Sequence, residues 1–363
     1  MRPSSLNLVS LVAIGLLTLT ISACSSKTSE STQTPEKLQN LKSADGRAAH
    51  VLQGPEFDNV LVSAKEFQGV GGGDYVVNGN KSFDGWFLKA DRVIFEPGST
   101  LMFSKTALSN RRQFWIVTKE LIVKDAEHPG TITYDKGAPA PAPPAPGEAP
   151  GGTHAQGDGS AGGPGQQGGK GNQGATGANG PQITLVVMQA PNSGTLVDLT
   201  GGDGGPGGQG QKGGRGGNGA KGSPASQSAV DCKSGGGNGG AGGAGGVGGP
   251  GGDGGTGGAG GIFLLVSKGE HLPSLTQKFR VKTSGGNGGN GGPSGVGGDY
   301  GLGGPGGQEA KPYCSGGNGG PNGTQGGAGG PGSNGANGQE GDFTVGAATD
   351  DQFNTYFWPK TNK

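Results

Sequence analysis

The residues best suited to covalent or metal chemistry in this chain are three cysteines and four histidines. Cys232 and Cys314 each precede a serine and a glycine run containing asparagine, CKSGGGNGG and CSGGNGG. In a protein exported to an oxidising compartment, a pair so placed reads as a disulfide, with two free thiols as the alternative. Cys24 stands at the end of an apolar stretch and has a different reading, given below. His50, His128, His154 and His271 are isolated, with no cysteine or carboxylate at ligand spacing, and read as surface or loop residues. No metal or other cofactor is expected. The chain has no G-x-x-x-x-G-K-[ST] loop and no G-x-S-x-G on a strand-to-helix turn. Its carboxylates are scattered, so no acid–base pair stands out. No catalytic residue is assigned, and the chain does not read as an enzyme.

What must position these residues is glycine. Every third residue from Gly236 to Gly260 is glycine, and so is the residue after each. Glycine also falls at every third place from Gly159 to Gly180, from Gly201 to Gly222 and from Gly317 to Gly341. Within Gly285 to Gly307 the rule, counted from Gly285, slips at Ser294 and Tyr300. A period of three fits neither the α-helix nor the strand. It fits the left-handed extended helix with three residues per turn, which has no internal hydrogen bonds. Such a segment is disordered, winds with two other chains as collagen, or bundles with others of its own kind. Collagen needs glycine once per triplet and abundant proline, whereas many triplets here carry two glycines. A second glycine makes sense where two faces of the helix lie against neighbours. The expected object is a polyglycine II bundle within one chain, a monomer rather than a collagen-like trimer.

These GGx runs resemble in pattern the springtail antifreeze proteins, which bundle six antiparallel polyglycine II helices in two layers. They also resemble the Gly-rich tip adhesins of some tailed phages. The resemblance covers about residues 136–341 and implies a helix-bundle fold, without implying an activity. Residues 1–24 read as a signal peptide: Arg2, an apolar run from Leu6 to Ile21, then Ile21-Ser22-Ala23-Cys24. That ending resembles the lipobox of bacterial lipoproteins. The resemblance implies cleavage before Cys24 and acylation of that cysteine, so the protein is expected to meet a membrane through an N-terminal lipid. Ser25 and Ser26 follow, rather than aspartate, which in such lipoproteins permits sorting to the outer membrane.

Residues 25–48 are polar and free of aromatics, and read as a disordered tether. Residues 49–135 alternate short apolar runs with turns and read as a β-rich base, solenoid- or sandwich-like. FWIVTKE (114–120), ITLVVMQ (183–189) and IFLLVSK (262–268) look alike, and DFTVGA (342–347) is a weaker fourth copy. After each of the first three copies comes a second short strand, within 131–134, 196–199 and 279–282. Each second strand leads into a low-complexity excursion, 136–181, 201–261 or 284–341. The base is thus expected to send out three long Gly-rich hairpins across residues 136–341, with strands 183–199 and 262–283 between them, and residues 342–363 to form a final strand and tail. The first outgoing arm, GAPAPAPPAPGEAPGG, is Pro-rich and suits a bundle edge. Lys170, Lys212, Arg215 and Lys221 fall at outward third positions and read as a solvated face.

Net charge is zero, so no basic stripe exists to neutralise phosphates and nucleic acid is not an expected partner. The function expected is a structural, scaffold or adhesive lipoprotein of the bacterial envelope. Its hairpin tips, with Lys233, Lys311 and Tyr313, would meet a surface protein or polysaccharide. The alternatives are ice binding, which needs a regular outward row of Ala or Thr, and a carbohydrate-active enzyme on the base. The row of the Gly236 arm is Asn238, Ala241, Ala244, Val247, Pro250, Asp253, Thr256 and Ala259, which is mixed.

Overall fold

The computed structural model describes residues 38–67, 71–192 and 194–359. In chain order the elements are β1 (His50–Leu52), α1 (Pro55–Ala64), β2 (Asp74–Val77), β3 (Asn80–Phe83), β4 (Phe87–Phe95), β5 (Thr100–Phe103), α2 (Lys105–Asn110), β6 (Gln113–Val123), β7 (Thr131–Tyr134), β8 (Gln182–Gln189), β9 (Thr195–Asp198), β10 (Ser226–Gln227), β11 (Cys232–Ser234), β12 (Ile262–Lys268), α3 (Leu272–Thr276), β13 (Phe279–Lys282), β14 (Phe343–Ala348) and α4 (Asp350–Tyr356). The chain is β-rich. One sheet runs β1-β14-β12-β8-β6-β4-β2 and the other β13-β9-β7-β5-β3. Both are parallel throughout. From β2 to β14, leaving aside the small β10–β11 pair, successive strands alternate between the sheets. Each turn of chain therefore adds one strand to each sheet, the winding of a solenoid rather than a sandwich.

In-register stacking builds the core. Phe114, Ile183, Phe263 and Phe343 occupy one column, and Leu88, Ile116, Leu185, Leu265 and Val345 the next. Both columns are buried against the second sheet, where Phe103 meets Phe114 at a ring separation of 4.5 Å. The alternate residues Trp115, Val117, Val186, Leu264 and Val266 face outward, where Phe57 and Leu61 of α1 and Phe353 of α4 cover them. Burial on both faces explains why these strands read as continuous apolar runs. Gly346 admits the helix, because a Cβ there would lie 2.2 Å from the Phe57 ring.

Two expectations need correction. Residues 38–48 are not a tether: Leu41 and Ser43 are buried, Ala44 N–H donates to the Phe279 carbonyl at 2.8 Å, and Gln277 Nε2 donates to the Lys42 carbonyl at 2.6 Å. They cover the free edge of β13 as β1 covers that of β14, which a long sheet edge requires in water. Residues 25–37 lie outside the described residues. The C-terminal tail carries a helix, α4, started by a capping box between Thr349 and Gln352.

The Gly-rich excursions carry neither helix nor strand over most of their length, yet their backbones are bonded in three-residue steps. Six arms can be distinguished: arm 1 (138–156), arm 2 (159–180), arm 3 (201–222), arm 4 (236–260), arm 5 (285–307) and arm 6 (317–341). Outgoing arms 1, 3 and 5 bond one another in parallel, as when Gly204 N–H donates to Asn287 O at 2.8 Å. Returning arms 2, 4 and 6 do likewise, as when Gly174 N–H donates to Asp253 O at 2.9 Å. Antiparallel bonds cross between the two sets in relays: Gly338 donates to Gly286, Gly286 to Gly258, Gly258 to Gly202 and Gly202 to Ala178, at 2.7–2.8 Å.

Glycine content follows the number of neighbours. Arm 4 bonds to arms 2, 3, 5 and 6 and has two glycines in every triplet. Arm 6 bonds to arms 4 and 5 alone among the described residues and keeps one obligatory glycine per triplet. The arms also continue the strand register. Gln182 pairs with Ile262, and Asn179 Oδ1 accepts from Ala259 N–H in arms 2 and 4, each 80 positions apart. Leu196 pairs with Arg280, and Asp203 Oδ1 accepts from Asn287 N–H in arms 3 and 5, each 84 positions apart. Excursion length is thus tied to sheet register, because one odd residue would displace every bond beyond it.

Candidate interaction surface at the arm tips

Both long excursions turn at the same height. In the second, β10 and β11 pair through Ser226–Ser234 and Gln227–Cys232, and Ser228 N–H closes the turn on Asp231 O at 2.8 Å. In the third, Ala310 and Cys314 exchange backbone bonds of 3.1 and 2.8 Å. Cys232 and Cys314 form a disulfide across the two tips, with an S–S distance of 2.11 Å and Cα atoms 5.0 Å apart. Gln227 adds a polar clamp: its Nε2 donates to Lys311 O at 2.6 Å, and its Oε1 accepts from Tyr313 N–H at 3.3 Å. Val230 and Tyr313 are left 80% and 48% exposed. Lys311 pairs with Glu309 at 2.8 Å. The result is a cross-linked platform with an apolar rim and balanced charge.

The other sequence candidates lie apart from it. Cys24 falls outside the described residues. His128 Nδ1 lies 2.7 Å from Asp125 three residues away, so a carboxylate does stand near this histidine, and the hydrogen bond to His128 holds the Asp125 carboxyl below its usual range. His154 Nδ1 accepts from Asn218 N–H at 3.0 Å. No group of three His, Cys, Asp or Glu able to hold a metal occurs among the described residues. No helix among them is long and apolar enough to cross a membrane.

The outward residues of the arms are more than a solvated face. Lys170 pairs with Asp253, and Lys212 reaches Asp299 at 3.2 Å and Glu148 at 3.4 Å, so these cations link neighbouring arms. Outward asparagines and aspartates cap amides that point from the next arm to solvent. Asn218 Oδ1 accepts from Leu302 N–H at 3.0 Å, and Asn238 Oδ1 from Asn318 N–H at 2.9 Å. Their signal in the sequence is the offset: partners stand 80 or 84 positions apart, as the strands do.

At the arm roots, Tyr134 OH donates to Thr200 O at 2.8 Å, and Lys136 Nζ lies 3.0 Å from Asp198. Burial, with the nearby Asp198 charge, pushes the Tyr134 hydroxyl up to about 12. Burial raises the Asp198 carboxyl, but the Thr200 N–H and Lys136 outweigh it and leave it below the ordinary value. A carboxyl depressed on folding stabilises above its unfolded value and loses that contribution as pH falls through its folded value. Asp198→Asn should therefore lower the urea midpoint at pH 7. The gap from the native chain should close as the pH is taken down through the folded-state value. A gap that holds constant across the titration would show that Asp198 acts through packing alone.

No known family matches this chain, and no curated protein does. Among solved structures, a springtail antifreeze protein from Granisotoma rainieri, described as a nine polyproline type II helical bundle whose crystal waters match the ice lattice, aligns at 25% identity over 51% of this chain and 94% of its own. The TM-score is 0.07, and the likeness carries no argument about fold or function.

Proposed function

We propose that this protein is a lipid-anchored structural or adhesive component of the bacterial envelope, with no catalytic role. The arms are polyglycine II helices, two layers of three, rising as a stiff stalk from the β-rich base. At ~3.1 Å per residue, an arm of this length reaches about 70 Å. The observation that carries this reading is the repeated bonding of arm to arm ending in a disulfide-joined pair of tips. Docking costs such an object less entropy, because few groups lose freedom when a rigid tip docks. The tips meet a surface protein or polysaccharide through Tyr313, Lys311 and Lys233. Acylation at Cys24 fixes the N-terminal end to a membrane, with the outer membrane as the destination.

Membrane fractionation and solution measurements test the proposal. Cys24→Ala should leave the precursor unprocessed or move the protein from the membrane fraction to the soluble one, and unchanged fractionation would refute the anchor. Sedimentation of the purified protein should give a monomer with an extended-helix circular dichroism signature. A trimer melting like collagen would refute the bundle. Thermal hysteresis in the same sample would replace adhesion with ice binding. Against that outcome, the Lys170–Asp253 pair interrupts the outward face of arms 2 and 4.

A further inference from the structure

A cleft of about 290 Å³ opens on the base, where the end of α1 and the turn after it, the residue before β4 and the start of β6 converge. Glu66, Trp86, Arg111, Arg112, Gln113 and Trp115 line it. The fold has reason to place them together. Phe87 pairs with Trp115 in register, and Trp115 N–H donates to Trp86 O at 2.9 Å, so both tryptophans come to one site. The link from α2 to β6 then sets two consecutive arginines beside them. Arg111 stacks on the Trp86 ring with its guanidinium carbon 3.9 Å from the ring centre. Its carboxylate neighbour, Glu66, is 4.0 Å away, beyond hydrogen-bond length. Arg112 Nη1 donates to Asn179 O at 3.3 Å, at the foot of arm 2. Gln113 Nε2 lies 3.3 Å from Gln182 Oε1.

We propose that this cleft binds an acidic saccharide, an oligosaccharide bearing uronate carboxylates. Each guanidinium carries five donors in a planar fork that matches a carboxylate. Two of them face one carboxylate here, an excess of positive charge in a chain whose net charge is zero. Arg111 is held against the Trp86 ring, and the Gln113 amide and Glu66 carboxylate suit the hydroxyls of a sugar ring. The volume lies at the lower end of small-ligand sites, room for one or two sugar rings. The site stands on the base and does not depend on the role proposed for the tips.

The test is calorimetric titration of the purified full-length protein with trigalacturonate, with the uncharged trisaccharide maltotriose and inorganic phosphate as comparisons. Saturable trigalacturonate binding is expected, with maltotriose and phosphate at least about tenfold weaker. Arg111→Ala and Gln113→Ala should each weaken trigalacturonate binding, Arg111→Ala by about tenfold or more. Arg111 is half exposed, so its replacement leaves the fold intact, which far-UV circular dichroism checks. Absence of saturation at millimolar trigalacturonate would overturn the proposal. So would equal affinity for maltotriose, or for phosphate, which would mark a general anion site.

Discussion

Replacing Gly255 by alanine should unfold the centre of the arm array, whereas replacing Gly330 should leave it intact. Gly255 lies in arm 4, between arms 2, 3 and 5, and a Cβ there would fall 1.9 Å from the Ala175 carbonyl oxygen. That obstacle is backbone held in its own hydrogen bonds, so it cannot swing aside as a side chain would. Gly255 N–H donates to Gly205 O, and its carbonyl accepts from Gly289 N–H, both at 2.8 Å. Moving the arm outward breaks both bonds and propagates along the relay. Overpacking of about 1–3 kcal/mol and roughly 1 kcal/mol for each lost bond make a total of about 3–5 kcal/mol. Gly330 is an informative contrast because it stands one residue after the periodic Gly329 and outside the period of arm 6. A Cβ there meets open space, and its φ is not in the left-handed region. Gly330→Ala should change stability by no more than about 1 kcal/mol, in the stabilising direction if the unfolded chain loses freedom. Denaturant midpoints of the two variants decide the matter. Equal effects would mean that glycine serves flexibility here and not close approach.

Loss of the Cys232–Cys314 bridge should be the other large effect. The cross-link spans a sequence separation of 82 positions. By the chain-entropy relation, closing a loop of that size lowers the unfolded state's freedom by about 4.5 kcal/mol at 25 °C. The arms bury little apolar surface and hold together by many bonds of about 1 kcal/mol net each, so one covalent tie is a large share of their stability. A Cys232→Ser, Cys314→Ser protein should fray from the tips inward. Its amides near Ser226 and Ala310 should exchange with solvent far faster, while those of β6 and β8 keep their protection. Counting thiols under denaturing, non-reducing conditions provides a direct companion measurement. Two free thiols per chain would remove the cross-link and the stabilisation assigned to it.

Sequence by itself determined that this chain is β-rich and punctuated by glycine at a period of three. The apolar strings at 183–189 and 262–268 lie within β8 and β12 almost residue for residue, because strands buried on both faces must be apolar without interruption. Boundaries were less legible. The copy at 114–120 is only part of a longer strand, β6, in which Thr118 is buried and bonds its hydroxyl to Glu120 O and Asp91 O. Tertiary structure alone decided three things. It brought residues 38–48, polar and tether-like in sequence, onto the open edge of β13, because an unpaired strand attracts any backbone that can reach it. It set Lys212 against Asp299 and Asn218 against Leu302, pairings that depend on an offset of more than eighty positions and leave no local pattern. It also gathered Trp86, Arg111 and Trp115 around one cleft. Local spacing records what a residue does to its own segment. Which segments become neighbours is settled by long-range register, and only the folded chain contains that.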